Sequence, residues 1–228
     1  MNVSKHLKKN WFKYMLETVV VIVGVLIAFS LNDWNESIKE RRFEVQMLKE
    51  LNGSLQNNVE YLERAIRRND EARRSCDLII EYFDSELPYH DSLDHHFSTS
   101  LFWFYPSLEN TAYESLKSYG LHLISNDSIR EKLGDIYEWT FIDLFSQRQD
   151  EYFYGTVAPL LPDWFESHDF FGDMKPLDFD NLRNSNSYRH ILRTMVAQRT
   201  AQIDLYETSK KSRLQLMQMI NNELQVLE

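Results

Sequence analysis

Glycine and proline are scarce in this chain, with 6 and 5 among 228 residues. Average usage would bring the two together to about 12%. Tight turns between strands and flexible linkers both rely on them, so an all-β sandwich and a disordered linker protein are excluded. Cysteine is rarer still. Cys76 stands alone, which rules out an intrachain disulfide and any Cys-rich zinc site. Positive charge is also short: 25 Lys and Arg face 35 Asp and Glu, for a net charge of −10. A phosphate backbone is held by clustered Lys and Arg, so no nucleic-acid partner is expected. There is no Gly-rich phosphate loop, no G-x-S-x-G, no H-E-x-x-H and no kinase signature. No cofactor is expected. What remains is an acidic, aromatic-rich chain of the all-α class.

One long apolar run is present, from Tyr14 to Leu31. Its 18 residues span roughly 27 Å as a helix, close to the hydrocarbon thickness of a bilayer. Trp11 and Tyr14 flank one end and Trp34 the other, where amphipathic rings anchor at the two membrane interfaces. A cleaved signal peptide is the competing reading, because Ala28-Phe29-Ser30 has the small-x-small form of a cleavage site. The helical pattern continues past Ser30 without a break, so a retained anchor is expected. Lys5, Lys8, Lys9 and Lys13 precede the run with no acid among them, which predicts a cytoplasmic N-terminus. The expected layout is a basic cytoplasmic tail over 1–13, a transmembrane helix over 14–34 and an extracytoplasmic helical domain over 35–228.

Glu17 is the ionisable residue inside the run. It either pairs with Lys13 near the interface or sits at the rim of a seam, since Glu17, Gly24 and Ala28 fall within about 40° on a helix. Gly24-x-x-x-Ala28 is a small-xxx-small pair that permits close helix approach, which raises the prospect of a homo-oligomer.

These residues carry a resemblance. Glu17, then Gly24-Val25-Leu26-Ile27-Ala28, then Asn32-Asp33-Trp34-Asn35-Glu36 resembles a bacterial family of single-pass membrane proteins of unknown function, whose members carry E-x6-G-I-L-I-A…N-x-W-N-E. Thr111-Ala112-Tyr113-Glu114-Ser115-Leu116-Lys117-Ser118-Tyr119-Gly120 and Leu123-Ile124-Ser125-Asn126-Asp127 are similar to that family's central motif. Val25 replaces the usual Ile, and Ser30 stands where Gln is common. The resemblance implies a bacterial inner-membrane anchor and a helical domain, and it supplies no catalytic residue.

After the anchor, Leu48, Leu55, Leu62, Asn69, Cys76 and Phe83 recur every seven residues, with Leu51, Ala65, Ala72 and Ile79 at companion positions and Asn58 interrupting them. This is a bundle or coiled-coil face on one long helix, with a kink expected at Asn52-Gly53-Ser54 and a stop at Pro88. A helix is expected over Ser92–Tyr105. Thr111-x-x-Glu114 and Ser128-x-x-Glu131 read as capping boxes, and Gly120 as a helix stop. The second box opens a helix with Ile129, Leu133, Ile136, Thr140 and Leu144 on one face, ending near Pro159 and Pro162. Residues 166–182 read as a loop. A last helix runs from Asn184–Ser187 to near Leu227 with Tyr188, Ile191, Met195, Leu205, Leu216 and Met219 on its seam. Residues 88–181 carry 17 acids and 5 bases, whereas 182–228 carry 7 bases and 4 acids, so the two parts are expected to attract. The acidic part would be repelled by anionic lipid and stand off the membrane.

His90, Asp91, Asp94, His95 and His96 form the densest metal-competent cluster, but no second group at ligand spacing completes a site. His168 and Asp169, with Asp173, Asp178 and Asp180, lack the spacing of a calcium loop. Cys76 lies on the apolar seam as buried filler rather than a nucleophile. Arg64, Arg67, Arg68, Arg73 and Arg74 interleave with Glu63, Asp70 and Glu71 and read as a salt-bridged surface. Trp103, Phe104 and Tyr105 read as interhelix packing or a partner groove. The reading that fits best is a membrane-anchored scaffold, sensor or protein-interaction module with no catalytic residue, its partners the lipid bilayer and another protein. A metal-dependent hydrolase using the His/Asp clusters (His90, Asp94 and His95 first) and a small oligomeric channel or transport accessory are the alternatives.

Overall fold

Apolar residues at alternating four- and three-residue steps dictate the longest element. In the computed structural model, which describes residues 3–138, 141–169 and 172–227 with side chains from residue 11 onward, α1 runs from Val3 to Asp84. The side chains of Lys5, Lys8 and Lys9, and Thr140, lie outside the described residues. At 1.5 Å per residue α1 is about 120 Å long. It passes through Asn52-Gly53-Ser54 without interruption, so the expected break does not form. Gly53 has a helical cost, but Leu51 and Leu55 on either side are fully buried, and Asn52 donates to the Asn221 side chain at 3.1 Å. Packing outweighs propensity here. α1 ends before Pro88, at a turn where Glu86 has a positive φ of 53°.

Among the described residues the helices that follow are α2 Ser92–Leu101, α3 Thr111–Tyr119, α4 Asp127–Tyr137, α5 Phe141–Tyr152, α6 Phe179–Asn184 and α7 Asn186–Leu227. The fold is 84% helical, with no strand among the described residues, which makes it all-α. An isolated bridge joins Phe165 and Pro176.

α7 lies antiparallel to the second half of α1. Arg41 reaches the carbonyl oxygens of Val226 and Leu227, Asn52 meets Asn221, Cys76 meets Arg199 and Asp84 pairs with Arg189. The α1 face is continuous: Glu44, Leu48, Leu51, Leu55, Asn58, Leu62, Ala65, Asn69, Ala72, Cys76, Ile79 and Phe83 are each at 5% exposure or less. α3 and α4 cover its first half around Leu48, Leu51, Leu116 and Leu133. α2 and the turns over 153–165 cover its second half around Cys76, Phe83, Phe97 and Phe165.

Between α2 and α3 the chain is extended rather than helical to Tyr105. Two buried asparagines on α1 hold it there. Asn69 donates to the Phe104 carbonyl oxygen at 2.7 Å and accepts from the Phe104 N–H at 3.3 Å. Asn58 does the same at Glu109, at 2.8 and 2.5 Å. Each carboxamide presents one donor and one acceptor, as a neighbouring strand would.

Neither capping box forms. Thr111 is already inside α3, and the Asn110 side chain caps nothing. α4 is capped by Asn126, whose side chain accepts from the N–H groups of Ser128 and Ile129. The expected continuous helix from Ser128 is interrupted, with α4 ending at Tyr137 and α5 beginning at Phe141. Ile129, Leu133 and Ile136 are buried, but Leu144 is exposed. α5 then widens into a π-helical turn over Phe153–Val157 and tightens into a 3₁₀ turn over Ala158–Asp163. The expected loop over 166–182 holds the start of α6, capped by Asp178. Gly120 stops α3 as expected: its φ of 113° is closed to side chains, and an added Cβ would lie 2.5 Å from the His122 ring.

Candidate functional site

Every residue of α1 from Trp11 to Ser37 is exposed, including the whole apolar run. Among the described residues this is the one helix long and apolar enough to cross a membrane, and none of its apolar run is buried. Trp11 and Tyr14 stand at one end of the run and Trp34 at the other, all open to the surroundings. Lys13 Nζ lies 4.0 Å from Glu17 Oε1. An added Cβ at Gly24 would meet nothing within 4 Å, and Ala28 is equally open on the same face.

The His/Asp cluster at α2 is dispersed by its local partners. Asp94 is buried and accepts from the Tyr89 hydroxyl at 2.7 and 2.9 Å. Burial and that carboxylate push the Tyr89 phenol well above its ordinary value. His90 is exposed and turns to Ser92 and Asp91. His95, also exposed, lies 3.7 Å from Asp173 and 3.3 Å from Thr99. No group of three or more metal-competent side chains comes together among the described residues. Asp178 caps α6 and Asp180 pairs with Arg183, so the loop acids are separately engaged.

His96 is turned the other way, into a cleft of about 520 Å³ between α1 and α2. Its Nδ1 is 3.0 Å from Ser75 Oγ. Burial and then the nearby His95 lower its pKa, which favours the neutral ring. A nucleophile also needs its base oriented. Among the described residues no carboxylate meets the far nitrogen of His96, and Ser75 is nearly closed to solvent in mid-helix. Arg68 and Arg74 stand at the mouth, paired with Glu71 and Asp70. Of the Arg-rich stretch, Arg68, Arg73 and Arg74 are ion-paired with Glu71, Asp70 and Asp77, while Arg64 lies over the Tyr61 ring at 4.7 Å.

Cys76 is fully buried, its thiol pushed up by burial. Beside it lies a residue that the heptad reading passed over. Arg199 is fully buried on α7, 3.1 Å from Cys76 Sγ, donating to the carbonyl oxygens of Ser100 and Phe102 at 2.7 and 3.0 Å. Its guanidinium carbon is 4.3 Å from the centre of the Trp103 ring. Trp103 therefore packs inward, while Tyr105 donates to Asp150 at 2.8 Å. Further along α7, Gln202 pairs with Gln149 at 2.9 and 3.3 Å, and Arg213 is a second buried cation. These polar residues occupy the four-and-three spacing set by Tyr188, Leu192, Met195, Tyr206, Leu216 and Ile220. That spacing was the available signal.

The central motif residues are structural. Glu44, buried on α1, accepts from the Ser125 N–H at 2.6 Å and the Ser125 hydroxyl at 2.8 Å. Asn126 donates to Glu223 of α7 at 2.6 Å. The corner between α3 and α4 is thus tied to both long helices. The attraction expected between the acidic middle and the basic last segment is barely expressed: among the described residues only Arg183–Asp180 joins them as an ion pair.

These features define an all-helical protein built on one long helix, apolar and exposed at one end and packed in a bundle at the other. The chain belongs to a family of unknown function (DUF6090), whose model matches residues 17–147. That match runs from the apolar half of α1 through α4 into α5 and includes both stretches that carry the resemblance. No curated protein and no solved structure matches the chain.

Proposed function

We propose that this chain is a single-pass membrane protein whose helical domain serves as a non-enzymatic scaffold, sensor or protein-interaction module. Residues 14–34 cross the bilayer, with Trp11, Tyr14 and Trp34 at its faces. The basic tail 1–13 stays in the cytoplasm of a bacterial inner membrane, and 35–228 stands on the far side. One observation carries this reading: a run of apolar residues, each exposed, continues into a helix whose later face is fully buried. Left in water, such a surface far exceeds the apolar patches tolerated on soluble monomers. In lipid the same surface is solvated and the helix satisfies its own backbone. The heptad-spaced burial supports an antiparallel coiled coil between α1 and α7. Small residues at Gly24 and Ala28 support self-association within the membrane, with Glu17 at the rim.

Alkaline extraction of membranes from expressing cells tests the anchor. The protein is expected to stay in the pellet, and a reporter active only outside the cytoplasm is expected to work when fused after Glu228. Release by alkali overturns the anchor, and activity of the same reporter at the N-terminus alone overturns the orientation. Cross-linking tests the seam: Gly24→Ile is expected to lose the dimer band that Val25→Ile keeps, since Val25 lies about 100° around the helix.

A further inference from the structure

A cleft of about 290 Å³ opens where α4, α5, α7 and the approach to α3 meet. Its most buried lining residue is charged: Arg213 of α7, at 5% exposure. Arg213 commits one nitrogen to the protein. Nη1 donates to the carbonyl oxygen of Ser209 at 3.3 Å and to the Ser209 hydroxyl, one turn back on its own helix. Nε is buried without an acceptor, and no carboxylate of the described residues pairs with the guanidinium. Burial accordingly lowers its pKa from the ordinary arginine value. Arg199, two heptads earlier, shares the buried Nε without an acceptor but spends both terminal nitrogens on protein acceptors and lies against an indole face. Arg213 is a desolvated cation facing a space instead.

The same cleft carries negative charge at its edge. Asp135 and Asp143 line it, are exposed, and form no ion pair among the described residues. The third acid, Glu109, is occupied by Asn57, whose Nδ2 lies 3.1 and 3.2 Å from its two oxygens. One unpaired cation within and two unpaired anions at the rim share a cleft without meeting one another. Leu108, Ile136 and Leu205 supply an apolar wall. The volume is at the small end of ligand pockets.

We propose that this cleft binds a free α-amino acid, its carboxylate on Arg213 and its ammonium group at Asp135 and Asp143. Arg213 Nη2, which makes no hydrogen bond to the described residues, is the nitrogen left to donate a charge-assisted hydrogen bond to a carboxylate. The rim acids repel polyanions such as phosphate esters and attract the ammonium group, and the apolar wall receives the side chain. The unpaired cation within and the anionic rim each then face an opposite charge on one small zwitterion. The inference rests on the bundle alone and does not depend on α1 crossing a membrane.

Titration calorimetry on the full chain in mild detergent, with each of the twenty standard L-amino acids, tests it. At least one is expected to bind. Its amide, which lacks the carboxylate, and its N-acetyl derivative, which lacks the ammonium, are each expected to bind about tenfold more weakly or worse, a loss of about 1.4 kcal/mol. Arg213→Gln is expected to abolish binding, and Asp135→Asn with Asp143→Asn to weaken it while leaving the helical circular dichroism unchanged. Should Arg213→Gln fail to fold, the amide series and the double rim variant decide the matter. No binding by any of the twenty overturns the proposal. So does an amide that binds as tightly as its acid, or inorganic phosphate that binds as tightly as the best amino acid.

Discussion

Single polar side chains decide where the middle of this molecule goes. Asn69 and Asn58 sit at heptad positions of α1 that leucine would otherwise fill, and each holds a backbone amide of the extended 102–110 segment. Asn69→Ala removes a donor and an acceptor from a buried backbone pair, so denaturant unfolding is expected to show a loss of about 2–4 kcal/mol. The exposed Asn57→Ala is expected to stay within about 0.5 kcal/mol. Ion pairs give a smaller and pH-dependent effect. Burial would raise the Asp70 carboxyl, but hydrogen bonds and charge from Arg73 and Arg74 outweigh it and hold it below the usual carboxylate range. A folded-state pKa below the unfolded one contributes stability that is present above about pH 4 and is lost as pH falls through the lowered value. Asp70→Asn is therefore expected to cost under about 1 kcal/mol at pH 7, and less as pH falls through the lowered value, read from paired urea melts.

At the scale of elements, glycines separate backbone demand from helix cost. Gly53 lies inside α1 with open space where its Cβ would be, so Gly53→Ala is expected to stabilise by about 0.5–1 kcal/mol. Gly120 holds a φ of 113°, and Gly120→Ala is expected to destabilise by about 1–3 kcal/mol in the same thermal or denaturant melt. Much of this level was legible in sequence. The seven-residue recurrence from Leu48 to Phe83 and the limits of α7 follow from apolar spacing that survives into the packed state. The extended segment after Leu101 did not, because its partners are asparagines 35 and 51 residues away rather than neighbours in sequence. The gap between α4 and α5 was hidden for a related reason. Leu144 continues the stripe of Ile129 and Leu133, yet it faces outward, so the periodicity spans a break in what it buries. The cleft at Arg213 was illegible as a site, since an arginine at a core position reads in sequence as surface.

On the scale of the whole molecule, the apolar half of α1 touches none of the bundle: nothing between Trp11 and Ser37 is buried. A chain beginning at Ile38 is expected to be soluble without detergent and to melt within a few degrees of the full protein. A lower melting temperature accompanied by aggregation would show that the first half supports the second. Because α1 has no break between its two halves, the direction faced by one half fixes the direction faced by the other. At 100° per residue, Glu17, Gly24 and Ala28 lie about 180° around the axis from Glu44, Leu48, Leu51 and Leu55. The small-residue face is the back of the rod, and α7 is strapped to its front. Two copies meeting back to back through Gly24 would carry their bundles on opposite outer flanks of a central stalk.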